Sequence, residues 1–140
     1  MINKLNRDVM LNINKVFSSF SVNDLNEAQK FYEQTLGIGV QKLPAMDGIL
    51  NLNIHGHLIV MYEKTDHKPA TFTVLNFQVD NVEKAVDDLE KKGVKFERYN
   101  LPGIKTDNRG IFRGEGPTIA WFKDPAGNIL SVIEESGEYD

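Results

Sequence analysis

Polar and apolar residues alternate through "KVFSSFSV", with Val16, Ser18, Phe20 and Val22 on one face and Phe17, Ser19 and Ser21 on the other. A period of two predicts a strand. The period then changes. In "NDLNEAQKFYEQTLGI", Leu25, Ala28, Phe31, Tyr32 and Leu36 form a helical stripe, with Asp24 as N-cap, Glu27 completing a capping box and Gly37 as the stop. Three short runs follow, "IGVQKLP", "GILNLNI" and "HLIVMYE", the last two joined by a turn at Gly56. After the polar "KTDHKPA" the plan repeats. "FTVLNFQV" sets Leu75, Phe77 and Val79 against Val74, Asn76 and Gln78. "DNVEKAVDDLEKKGV" turns Val82, Ala85, Val86 and Leu89 inward and stops at Gly93. "KFERYN" reads as a strand and "LPGIKTDNRGIFRGEGP" as a long loop. "IAWFKDPAGNILSVIEES" reads as two strands about a turn set by Pro125 and Gly127.

The halves superpose without a gap from strand into helix. Phe17 falls on Val74, Val22 on Val79, Leu25 on Val82 and Ala28 on Ala85. Such a repeat sets the fold. It predicts an α+β domain of two tandem βαβββ modules, residues 15–63 and 71–135, joined by a linker at 64–70. Residues 1–14 are an arm and 136–140 a tail. Met10 could serve as an alternative start, since the patterned sequence begins just after it. Each half is too small to close a core comfortably, so the halves should pair. The helix-facing side of each sheet is apolar. The other side is mixed, with Ser19, Ser21, Asn76, Gln78 and Ser131, which suits a pocket better than a dry core.

Composition narrows the function classes. A net charge of −4 spread over a mixed surface argues against a dedicated nucleic-acid binder. No apolar run approaches the roughly 18 residues of a membrane span. The absence of cysteine removes disulfides, thiolate metal sites and thiol nucleophiles, and is compatible with a cytoplasmic protein.

Three stretches, "FSVNDLNEAQKFYEQTLGI", "VLNFQVDNVEKAVDDLEKKGVKF" and "WFKDPAGNILSVIE", together resemble the vicinal oxygen chelate superfamily. It groups glyoxalase I, bleomycin-resistance proteins and extradiol dioxygenases. The resemblance covers residues 15–135. It implies paired modules whose curved mixed sheets enclose a cavity, and a homodimer. In its enzymes a divalent metal is commonly held by His or Glu seven residues before the first strand-to-helix aspartate. Counting back from Asp24 gives Phe17, and the matching place in the second half is Val74. The other two ligand places fall on Val60 and, seven residues after Asp124, on Ser131. None of the four suits a hard divalent ion. The expectation is therefore a protein with no metal and no cofactor.

Tyr62 and Trp121 stand on strands that should border the cavity, where a ring can stack a flat ligand; the alternative is an ordinary core role. Phe17 could add a third ring. Asn76 and Gln78 either bond neighbouring backbone or line a wet pocket shared with Ser19 and Ser131. Arg113 and Glu115 lie in a glycine-rich loop that reads as a lid or as a solvated loop with a surface ion pair. His55, His57 and His67 read as turn and linker residues, with no histidine beside a patterned serine. The expected function is small-molecule binding to an apolar or aromatic ligand by Phe17, Ser19, Val60, Tyr62, Val74, Asn76, Gln78, Arg113, Trp121 and Ser131. The alternative is a lyase, isomerase or oxygenase with a non-standard metal site. Neither nucleic acid nor membrane is an expected partner.

Overall fold

The computed structural model describes residues 11–134; Met10, the arm before Leu11, Glu135 and the tail lie outside them. Alternation through the first half produces strands β1 (Ser18–Val22), β2 (Val40–Lys42), β3 (Ile49–Ile54) and β4 (His57–Glu63), paired in the order β1-β4-β3-β2. The second half gives β5 (Thr73–Gln78), the hairpin β6 (Asn100–Leu101) and β7 (Ile104–Lys105), β8 (Ile111–Phe112), β9 (Thr118–Lys123) and β10 (Ile129–Glu134). Its sheet has the order β5-β10-β9-β8. In each sheet the first strand runs parallel to the last, which is what a crossover helix requires. The two βαβββ modules are thus as the repeat predicts. The strands pair as two separate four-stranded sheets and close no barrel.

The β3–β4 turn takes positive φ at both central residues, 49° at His55 and 81° at Gly56. That backbone matches the twist of the flanking strands and fixes their register from Ile54↔His57 through Ile49↔Tyr62. Two segments differ from expectation. "KFERYN" forms only an isolated bridge, Phe96 to Phe122, before β6. The expected loop at 101–117 holds β7 and β8, and half of a hairpin turning on Pro102 and Gly103.

The first helix is shorter than its stripe. Helix α1 spans Leu25–Lys30 and widens into a π-helical turn at Phe31–Thr35. There Leu36 N–H bonds Phe31 O at 2.9 Å, five residues back. Phe31 and Tyr32 both reach inward. Their rings meet at 5.3 Å, and Phe31 also lies 6.3 Å from Phe122 of the second sheet. Helix α2 is Val82–Lys91, with Val82 and Val86 buried. The helix-facing sides of both sheets contribute to one core, including Val22, Leu50, Leu52, Ile59 and Met61 from the first and Ala120, Phe122, Leu130 and Val132 from the second. The mixed side of each sheet is turned away from that core.

Candidate outer-face binding site

Parallel pairing aligns equivalent rows on the two outer faces. On the first sheet the row is Ser19–Val60–Asn51, followed by Ser21–Tyr62–Ile49. On the second it is Asn76–Ser131–Trp121, followed by Gln78–Ile133–Ile119. The structure therefore gathers the expected site residues into two sets on two sheets. Phe17 precedes β1 and is 54% exposed, Ser19 is exposed, and Tyr62 is 38% exposed. Val60 is half-buried between them.

The second row is better satisfied. Ser131 is fully buried, and its hydroxyl donates to Asn76 Oδ1 at 2.7 Å. This is the cheapest way to place a hydroxyl inside a sheet, since an unpaired one would lose its water bonds without return. Gln78 is exposed beside Ile133. Val74 is the residue the β5–β10 ladder skips: Thr73 stands opposite Ile129 and Leu75 opposite Leu130. Val74 is half-buried and packs against the core. Arg113 sits elsewhere, in ion pairs with Asp107 and with Glu83 of α2 at 2.9 Å, on the helix-bearing side. Burial would raise the Asp107 carboxyl, but N–H groups of Ile111 and Arg109 and the Arg113 guanidinium outweigh it and hold the group below its ordinary value.

Trp121 is the expected residue that lines a groove. Its indole Nε1–H donates to Thr73 Oγ1 at 3.2 Å. Tyr99 meets the ring edge-on at 5.5 Å and 75°, and Phe112 lies 6.3 Å away. Trp121 lines an open groove of about 600 Å³ together with Phe72, Tyr99, Leu101, Ile104 and Lys123. The last five were not legible as site residues. The one signal for two of them was "LPGI", a Pro-Gly turn flanked by apolar residues. A second space, about 270 Å³ on the core side between Leu36, Phe77 and Leu89, holds none of the expected residues.

The four places where the resemblance puts metal ligands can be tested on their chemistry. The Phe17, Val60 and Val74 side chains offer no lone pair, and Ser131 offers one neutral hydroxyl, fully buried and turned with its proton toward Asn76. Among the described residues no three His, Asp or Glu side chains gather. The residues at these places do not fit a divalent ion.

His55 and His57 are exposed at the β3–β4 turn. His67 departs from the linker role expected for it. Its Nδ1 lies 2.6 Å from Ser21 Oγ, a histidine beside a patterned serine after all, and its Nε2 lies 3.0 Å from Ala126 O. A carbonyl can only accept, so Nε2 is the donor to Ala126 O, and in the neutral ring Nδ1 then accepts from the serine. Asn128 Nδ2 also donates to Ser21 O at 3.0 Å, so this cluster ties β1 to the β9–β10 turn.

Comparison with known proteins places these observations in context. The family model described as Glyoxalase/Bleomycin resistance protein/Dioxygenase superfamily matches residues 13–132. A comparison with curated proteins gives no match. Among solved structures, a glyoxalase family protein from Bacillus anthracis is 19% identical with a TM-score of 0.65, covering 91% of this chain and 100% of that one. The fosfomycin resistance protein FosX from Listeria monocytogenes is 15% identical with a TM-score of 0.66, covering 91% and 98%. A lactoylglutathione lyase from Agrobacterium tumefaciens is 18% identical with a TM-score of 0.62, covering 87% and 94%. At these identities the likeness is one of fold.

Proposed function

The chain belongs to the Glyoxalase/Bleomycin resistance protein/Dioxygenase superfamily, and from that premise we propose that it binds a small apolar or aromatic molecule without a resident metal. The observation that carries this reading is Ser131. It stands where the resemblance implies a ligand carboxylate, yet it is fully buried and closed onto Asn76. A ligand held on the outer face of the second sheet would meet Trp121 for stacking and Asn76 and Gln78 for hydrogen bonds; Tyr62 offers a ring on the outer face of the first. Sequestration of this kind needs a shaped surface and no reacting group, as the resemblance to bleomycin-resistance proteins implies. The homodimer belongs to the same reading and rests on that resemblance. Among the described residues no helix is long and apolar enough to cross a membrane.

Metal analysis together with thermal-shift screening tests the proposal. The purified protein is expected to carry no stoichiometric zinc, nickel, iron or manganese after dialysis, and to gain stability by mass action with a subset of apolar or aromatic compounds. Stoichiometric metal surviving dialysis overturns it. That result would favour a lyase, isomerase or oxygenase, the first in keeping with the lactoylglutathione lyase that shares the fold.

A further inference from the structure

We propose that the groove beside the β6–β7 hairpin is the ligand site, and that its ligand is an uncharged, flat aromatic molecule with one hydrogen-bonding end. This rests on the small-molecule reading above and adds both a place and a chemical class. The place is set by large apolar side chains left exposed among the described residues. Phe72 is 67% exposed, Leu101 54% and Ile104 36%, and all three line the same groove as Trp121. Large apolar side chains exposed singly are ordinary, but three around one concavity mark a surface that something covers. A volume near 600 Å³ lies within the range that encloses a drug-sized molecule.

The class follows from the walls and the charges. Trp121 has spent its only polar atom on Thr73, so it offers a ligand ring surface alone. Tyr99, set edge-on against it, adds a second aromatic wall. Walls of this kind favour a planar ring. Among the described residues two ionised side chains line the groove, Lys123 and Glu97, and their charged atoms lie 3.6 Å apart. They already balance each other. A charged ligand would be attracted by one and repelled by the other, and would have to break the pair to gain. An uncharged molecule can bond both, donating to Glu97 and accepting from Lys123, in a groove that Thr71 also lines.

Trp121 is the sole tryptophan, so its emission reports occupancy directly. The intact protein is titrated with neutral N-phenylnaphthylamine and with anilinonaphthalene sulfonate, which has the same ring framework plus a fixed negative charge. Saturable quenching by the neutral probe is expected, with the anionic probe at least about tenfold weaker because it must break the Lys123–Glu97 pair to reach Lys123 and is repelled by Glu97. Glu97→Gln should remove most of that difference by freeing Lys123. Ile104→Gln and Leu101→Gln, both changes at exposed positions, should weaken the neutral probe several-fold while melting within about two degrees of wild type. Equal affinity for the two probes in wild type, or no response to Glu97→Gln, overturns the assignment of charge. Binding that survives both hairpin variants but is lost in Gln78→Leu overturns the place while leaving the small-molecule reading intact. If neither probe quenches and no uncharged aromatic compound shifts the melting temperature, both readings fail.

Discussion

Two buried side chains make opposite uses of the same chemistry. Tyr32 is fully buried and donates its hydroxyl to Asp124 Oδ2 at 2.7 Å. Burial first, and the adjacent carboxylate second, raise the phenol well above its ordinary value of 10.0. The fold therefore prefers the protonated phenol. The corresponding stability is fully present below the unfolded value and is lost as pH rises through about 10 toward the folded one. Tyr32→Phe is expected to cost about 1–2 kcal/mol near neutral pH, since a buried acceptor loses one donor. The gap between the two proteins should narrow above about pH 10, where only wild type has a phenol to ionise at position 32. Urea midpoints measured across that range check it, and a constant gap would mean the phenol does not feel its burial. Asn51 is the converse case. Its Oδ1 is buried in the Ser19–Val60–Asn51 row with no hydrogen-bond partner among the described residues. Where the second sheet has Ser131 to satisfy Asn76, the first has Val60, which can donate nothing. Asn51→Leu is expected to stabilise the protein by about 1 kcal/mol by removing an unpaid desolvation. A loss of similar size in urea unfolding would show that the amide has a partner in solution.

The two helices begin in the same way, although only part of that was legible. The local caps follow from sequence rules. Asp24 accepts from Glu27 N–H at 3.1 Å, and Asn81 accepts from Lys84 N–H at 2.9 Å. A second acceptor comes from far along the chain. Glu63 accepts from Leu25 N–H and Glu134 from Val82 N–H, each at 2.9 Å, from the last strand of its own module. Each carboxylate thus closes a free helix-end donor and pins the crossover helix to the strand parallel to β1 or β5. Local pattern carries no sign of such a pairing, because it depends on which strand returns beside the first. The same limit hid the β6–β7 hairpin, whose strands are too short to show a period. It hid the π-helical turn as well, since Phe31, Tyr32 and Leu36 fit an ordinary stripe. Strand faces were legible from alternation, except at Val74, where one skipped residue moves the side chain off the outer row. Glu63→Ala and Glu134→Ala are each expected to cost about 1 kcal/mol, and Gln at either position should restore most of it, because an amide oxygen still accepts. Failure of Gln to restore stability in chemical denaturation would show that charge at the helix end, and not the hydrogen bond, is what matters.

At the scale of the molecule, the modules are joined on the helix side and open on the other. Periodicity identifies the apolar face of each sheet but cannot say how two such faces are turned toward each other. That arrangement is set by contacts between halves, Phe31 with Phe122, Tyr32 with Asp124 and Asn128 with Ser21, and by His67 of the linker, which bridges Ser21 and Ala126. Asp124 also accepts from the backbone N–H groups of Ala126 and Asn128, so the turn between β9 and β10 is fixed before it meets the first module. A shared core with a hydrogen-bonded seam should unfold as one unit, since neither half keeps its apolar face covered alone. Two single-tryptophan proteins test this. Wild type reports from the second sheet through Trp121, and Tyr62→Trp combined with Trp121→Phe reports from the exposed face of the first. Their urea transitions are expected each to coincide with the loss of circular dichroism. Asn128→Ala, introduced into both, should lower stability by about 2 kcal/mol and shift both reporters together, because it removes buried bonds to Ser21 and Asp124 at once. If the first-sheet reporter kept its midpoint while Trp121 moved, the halves would be separate folding units and the seam a contact between finished domains.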